Sequence, residues 1–211
     1  MKPVLSALLL LGIIGLWYFY PKTEILGDAS GANSPGTMAD DATVGDTVWT
    51  NPDNAKVSDN VYATVILAAA ERSHYLKATN FSFSIPVGAT IDGVVVENEC
   101  KNTSGSNGWD IVKLVKGGVI GGTNHRPTMT ATEAYVSTGS SSDLWGLTLS
   151  PTDVNASDFG VVFQDDGPGG GTTISVDHIR ITITYTPVSG FPQVQVRSGT
   201  INVRSGSIIV K

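Results

Sequence analysis

Residues 173–185 read as the clearest strand of the chain, with apolar and polar side chains alternating from His178 onward. Ile179, Ile181, Ile183 and Tyr185 fall on one side, and His178, Arg180, Thr182 and Thr184 on the other. Alternation with a period of two is the signature of a half-buried β-strand, because successive side chains leave opposite faces of the pleat. Strands also read at 61–67, an apolar and β-rich run, and at 90–99, 110–115 and 160–164. Alternation recurs at 75–85, where Leu76, Phe81, Phe83 and Ile85 are candidate core residues, and shorter runs at 47–49, 119–120 and 144–149 read as strands. Lys116-Gly117-Gly118 before Val119 predicts a tight hairpin, since paired glycines supply the positive φ angles that such turns need. Only residues 68–72, Ala-Ala-Ala-Glu-Arg, could form a helical turn. About eight strands with few helical signals predict an all-β, two-layer, jelly-roll-like sandwich over residues 47–187.

Ahead of this body the pattern changes. Residues 4–20 lie between Pro3 and Pro21 without a charge, and at about 1.5 Å per residue they span roughly 25 Å of helix. That falls a little short of a bilayer core of about 30 Å. Leu9, Leu11 and Ile14 supply the apolar middle, and Trp17, Tyr18, Phe19 and Tyr20 an interfacial aromatic edge followed by Lys22. Residues 1–22 therefore read as an apolar helix that anchors the chain to membrane lipid. A cleaved signal segment is the competing reading, with Lys2 as its basic start and a weak small-residue site at Gly27-Asp28-Ala29. Residues 23–46 are rich in Gly, Ala, Asp and Ser and read as a flexible linker.

At the other end, residues 188–211 repeat with a period of seven: Val196-Arg197-Ser198-Gly199-Thr200-Ile201-Asn202 is echoed by Val203-Arg204-Ser205-Gly206-Ser207-Ile208-Ile209. Read as a β-meander with Ser-Gly turns, the register sets Arg197 opposite Thr200 and Val196 opposite Ile201. Val194, Val196, Ile201, Val203, Ile208 and Val210 then share one face. A solenoid-like turn per repeat also satisfies the glycine spacing. The apolar face predicts an assembly element that joins copies of the chain, or other structural proteins, or else packs on its own body.

Composition narrows the function. A net charge of −6, with Lys and Arg scattered, argues against nucleic acid as a partner. The single cysteine, Cys100, excludes an intrachain disulfide and reads as a small half-buried strand residue. His74, His125 and His178 lack a zinc spacing, and His178 falls on the outward parity of its strand. No phosphate loop, nucleophile elbow or dinucleotide fingerprint occurs, so no catalytic residue, cofactor or metal site is expected. Asp165 and Asp166 are the candidate calcium ligands, against an ordinary reading as solvated turn carboxylates. Asp177 shares the parity of Ile179 and is expected to accept backbone hydrogen bonds at a corner of the sandwich. Trp109, Trp145 and Tyr135 could line a glycan site or fill the core. Asn80, Asn102 and Asn155 each begin an Asn-x-Ser acceptor.

The runs Tyr75-Leu76-Lys77-Ala78-Thr79-Asn80-Phe81 and Ile85-Pro86-Val87-Gly88-Ala89-Thr90-Ile91-Asp92-Gly93 resemble a module of phage and bacterial surface proteins. So do Ser142-Asp143-Leu144-Trp145-Gly146, the run from Asp153 to Gly160, and Val176-Asp177-His178-Ile179-Arg180-Ile181-Thr182. The resemblance covers about residues 48–186 and implies a structural, virion- or surface-associated β-sandwich with no catalytic residues. The expected function is thus a non-enzymatic structural or assembly protein of a virion or cell surface, tethered by its N-terminus. An adhesin or receptor-binding spike that recognises a glycan is the alternative.

Overall fold

The computed structural model describes residues 27–104, 108–167 and 171–188, together with the backbone of 195–197 and 200–202. In chain order the strands are β1 (Asp28–Ala29), β2 (Thr37–Asp41), β3 (Ala63–Leu67), β4 (Tyr75–Thr79), β5 (Thr90–Asn102) and β6 (Ile111–Lys116). They continue with β7 (Val119–His125), β8 (Ala134–Ser140), β9 (Gly160–Gln164), β10 (Thr172–Thr186), β11 (Gln195–Arg197) and β12 (Thr200–Asn202). Sheet one has the order β1-β10-β5-β8, with β3 paired to the leading half of β10; sheet two has the order β2-β4-β9-β6-β7. All the strand pairs are antiparallel. From β1 to β6 the chain changes sheet at each connection, so the two sheets form a β-sandwich over one shared core.

The core follows from strand parity. Val94, Val96 and Cys100 of β5 and Ile174, Val176, Ile179, Ile181 and Ile183 of β10 meet Leu76, Ala78, Val112, Leu114, Val161 and Phe163 of sheet two. Trp109 packs on Phe163 with ring centroids 5.0 Å apart and on Trp49 at 6.1 Å. Asn98 points into this core from β5. In the amide orientation that satisfies both neighbours, it accepts from Trp109 Nε1 (3.0 Å) and donates to Val136 O (3.2 Å), which meets the requirement that buried polar groups be paired. Trp145 adopts a positive φ of 58° and donates from its indole to Val94 O at 3.0 Å. Gly139 makes room for it, because a Cβ there would meet Val94 O and the indole nitrogen.

The Gly117-Gly118 hairpin forms as expected, with φ angles of 57° and 75° and Lys116 opposite Val119. Several other expectations are corrected. Residues 28–46 are built into the body: β1 pairs with β10, β2 pairs with β4, and Met38 is buried. Their small and acidic side chains suit edge strands, whose backbone pairing needs no large side chain. The alternation at 75–85 forms a strand only to Thr79, because Asn80 and Ser82 take φ angles of 61° and 54° that break the ladder. Phe81, Phe83 and Ile85 enter the core from irregular backbone. Residues 47–49 make only an isolated bridge and 144–149 only turns, although both carry buried tryptophans. Residues 68–72 form a turn, not a helix, with Ala70 at φ 66°.

Two elements are additional to those expected. Strand β8 pairs with β5 along Val94–Cys100, and a short helix α1 (Pro151–Asn155) follows Ser150. There Ser150 and Asp153 cap each other's backbone N–H groups, a capping box. The apolar segment 1–22, with Leu9, Leu11, Ile14, Trp17, Tyr18, Phe19 and Tyr20, lies outside the described residues. Among the described residues no helix is long and apolar enough to cross a membrane. β11 and β12 pair with Val196 opposite Ile201 and Arg197 opposite Thr200, the register that the repeat predicts. The second repeat, with Val203, Ile208 and Val210, and Val194 before the first, lie outside the described residues.

Candidate functional site

The feature that builds a site is a bulge in β10. Val176 pairs with Cys100 and His178 with Glu99, so Asp177 is an extra residue between them. A bulge resets the alternation of its strand. Ile174 and Val176 face the core before it, and Ile179, Ile181 and Ile183 after it. Asp177 and His178 both join the outer face of sheet one, where β5 contributes Glu97, Glu99 and Lys101 at every second position. Beside them stand Tyr135 of β8 and Glu133 just before it, while residues 52–62 run along the edge of β10 through a bridge between Lys56 and His178.

These side chains are locked to one another. Arg180 holds Glu97 in a two-pronged contact, Nε to Oε2 at 2.8 Å and Nη2 to Oε1 at 3.0 Å, and lies 3.9 Å from the centroid of the Tyr135 ring. Tyr135 Oη is 2.8 Å from His178 Nδ1, and His178 Nε2 is 2.8 Å from Ser34 Oγ. On the other side Tyr62 donates to Glu133 Oε2 at 2.6 Å. Lys101 Nζ donates to the same oxygen at 2.7 Å and stands 4.1 Å from the Tyr62 ring centroid. Each tyrosine is therefore fixed by a carboxylate or imidazole at its hydroxyl and by a cation at its face. Asp177 accepts from the backbone N–H of Asp59 at 3.3 Å, the kind of bond expected of it, though made on the outer face.

The charges respond to this packing. Burial, aided by the Arg180 guanidinium, lowers the His178 pKa below the ordinary imidazole value, so the ring is held neutral at pH 7. Burial opposes ionisation of Glu133, but the hydrogen bonds from Lys101 and Tyr62 outweigh it and leave its carboxyl below the usual range. Glu99 Oε2 is sealed from solvent, and the Glu99 carboxylate neighbours the Tyr135 hydroxyl, whose pKa is raised by burial and by Glu99. Oxygens of Glu99, Glu133 and Asp177 lie within 4.8 Å of one another, the group among the described residues with spacing suited to a metal ion.

Other expected site residues go elsewhere. His178 is buried, not exposed, because the bulge and residues 52–62 cover it. Trp109 and Trp145 are sealed in the core, so of the aromatic group proposed for a glycan only Tyr135 reaches this face. Asp165 is buried with its N–H bonded to Ser73 Oγ, whereas Asp166 is exposed. His74 pairs with Asp40 at 2.7 Å and His125 packs on Trp145 at 4.2 Å, each apart from the other. Burial pushes the Cys100 thiol up to about 12, which removes it as a nucleophile at neutral pH. Asn155 spends its side chain on both backbone groups of Ile85. The acidic and basic alternation Glu97, Glu99, Lys101 was a readable signal for this face, as was the change of apolar parity around Asp177; the contributions of Tyr62 and Glu133, which come from loops, were not.

The class defined by these observations is a β-sandwich with a polar, aromatic-flanked outer sheet face. No family model matches the chain, and no curated protein matches it. The resemblance to phage and bacterial surface modules thus reaches no further than the sandwich itself. Among solved structures, one described as "CBM4 structure and function" is similar at 13% identity and a TM-score of 0.41, covering 72% of this chain and 93% of that one. The two-sheet architecture of the present chain rests on its own strand pairing.

Proposed function

We propose that this chain is a non-enzymatic carbohydrate-binding module, displayed from a cell or virion surface by its N-terminal segment, with the outer face of sheet one as its contact surface. The observation that carries this reading is the fixed pair Tyr62 and Tyr135, bordered by Lys101, Glu133, Arg180 and Glu97. A sugar offers C–H patches that suit aromatic side chains and hydroxyls that suit carboxylates, ammonium and guanidinium groups. Side chains already held in place lose little freedom when a ligand arrives, which favours binding to a preformed surface. The tight mutual pairing of these groups favours recognition over proton transfer or nucleophilic attack.

The test is a glycan array probed with the labelled full-length chain beside a Tyr62→Ala/Tyr135→Ala variant and a Lys113→Ala variant on sheet two. The expected result is selective glycan retention by the parent chain and by Lys113→Ala, and at least tenfold weaker retention by the tyrosine variant. Melting curves establish that each variant is folded. Absence of glycan retention by the parent, or equal retention by the folded tyrosine variant, overturns the reading.

A further inference from the structure

Sheet one ends on β8, and among the described residues no strand or bridge pairs with the far edge of β8. A free edge offers a row of backbone N–H and C=O groups to any extended chain, so folded proteins guard it with charge, proline, a bulge or a cover. Elsewhere among the described residues the edges are guarded. β2 ends in Asp40 and Asp41. β7 is thrown out of register between Val112 and Leu114 of its neighbour, and its Thr123 N–H is taken by Trp145 O at 2.7 Å. β3 is bonded at Thr64 to Thr50, N–H to O in both directions at 2.8 and 3.0 Å, and β1 is two residues long.

Strand β8 has none of these devices. Its seven residues, Ala-Tyr-Val-Ser-Thr-Gly-Ser, carry no charge and no proline, and they pair with β5 from Cys100 to Val94 without a register shift. The positive φ of Gly139, 78°, leaves that register unbroken. The edge is also clear of bulk on its outer face. Tyr135 leans inward to His178 and Arg180, and the other positions of that row are Ser137 and Gly139.

The edge also fits itself. Turned about a two-fold axis through Ser137, it meets a second copy antiparallel in a register that uses all seven residues. Ser137 then faces the partner's Ser137, Val136 the partner's Thr138, Tyr135 the partner's Gly139 and Ala134 the partner's Ser140. Every pair is neutral, and the β-branched pair of Val136 with Thr138 suits a cross-strand position. The chain as a whole carries a net charge of −6. Two copies therefore repel over much of their surface, and an uncharged strand is where that repulsion opposes contact least.

We infer that β8 joins two copies of this chain edge to edge, extending sheet one across a two-fold axis into one continuous antiparallel sheet. Main-chain hydrogen bonds hold such an addition, and alternate side chains set its register. The axis stands perpendicular to the sheet, so the outer faces of both copies lie on the same side. The pairing needs only β8 and does not rest on the carbohydrate reading. Joined to that reading, it presents two Tyr62 and Tyr135 faces side by side, which raises avidity for a repeating glycan.

The experiment follows disulfide formation in the full-length chain, held in mild detergent under gentle oxidation. The native thiol does not interfere, since Cys100 is buried and its thiol is pushed up to about 12. Ser137→Cys sets two thiols across the axis with Cα atoms about 4.5–5.5 Å apart, a span that a disulfide bridges. Its covalent dimer is expected to form at least about tenfold faster than that of Val119→Cys, whose site on the β6–β7 hairpin is 70% exposed. The register has its own test, which also decides the matter if Ser137→Cys does not fold. Chains with Ala134→Cys are mixed with longer-tagged chains with Ser140→Cys, and the products are sorted by mass. Mixed dimers are expected to outnumber both homodimers, because like positions stand about 20 Å apart across the axis. Melting curves establish that each variant is folded. Cross-linking of folded Ser137→Cys no faster than that of Val119→Cys overturns the pairing, whichever other segments associate. Homodimers in excess in the mixture overturn it equally. Glycan retention plays no part in this readout, so failure of either reading leaves the other standing.

Discussion

On the outer face of sheet two, Tyr75, Val115 and Val162 are buried in a small second cluster, with Val44, Ile111 and Ile120 packed against it. On the outer face of sheet one, the central positions hold Glu97, Glu99, Lys101, Asp177, His178 and Arg180, tied together by ion pairs and hydrogen bonds. Both inner faces follow the same rule of apolar alternation. The outer faces differ because sheet two is closed with aliphatic side chains, including Val44 from the turn after β2, whereas sheet one keeps its polar groups under a partial cover. Sealing a face with apolar side chains gains stability directly. Keeping charges half-buried requires every one to find a partner, and it leaves a specific surface as the return. The face that is harder to build is the one to examine for function.

The largest expected effect tests that contrast with the same charge on each face. Val162→Asp places a carboxylate in the sealed cluster and is expected to destabilise the fold by about 3 kcal/mol or more. Thr182→Asp, on the partly open face of sheet one, is expected to cost under about 1 kcal/mol. Urea titration of both variants measures the difference, and similar costs would break the comparison. A smaller effect addresses the polar face itself. Arg180→Ala removes the contacts to Glu97 and to the Tyr135 ring, with a loss of about 1 kcal/mol, since the pair is partly exposed and screened. A double-mutant cycle with Glu97→Ala is expected to show a positive coupling, and strict additivity would show that the pair is ornamental.

The smallest effect is a tilt with pH. His178 has a folded pKa below its unfolded value, so the unfolded chain binds the proton more readily. The contribution is fully present above about pH 6.5 and is lost as pH falls toward the lower folded pKa. Between pH 7 and pH 6 the loss is expected at under about 1 kcal/mol. His178→Gln, measured by melting temperature across that interval, is expected to flatten the tilt. An unchanged slope would remove His178 as its source.

Much of the sandwich was legible in the chain because strand alternation reports burial directly. Ile179, Ile181 and Ile183 point inward as their spacing requires, and the paired glycines at 117 and 118 turn the β6–β7 hairpin. The polar face was legible in part through Glu97, Glu99 and Lys101. Where β10 gains a residue the apolar positions change parity, from Ile174 and Val176 to Ile179, Ile181 and Ile183, a signal that straight alternation passes over. Reading parity straight through Asp177 and His178 puts one inward and the other in water, whereas both lie on the covered outer face. Residues 28–46 escaped for a different reason. Edge pairing is made by backbone groups that every residue type carries, so side-chain composition is nearly silent about it.

By itself, then, the sequence determined that the body is β, where its central strands run and which of their side chains are apolar, because a two-residue period allows no other way to bury them. Only the tertiary structure decided which tryptophans are core, which loop covers which sheet, and that Glu99, Glu133 and Asp177 converge. Those outcomes depend on contacts between residues far apart in the chain, which leave no local pattern to read; the one-residue shift in β10 shows only as a change of apolar parity between Val176 and Ile179.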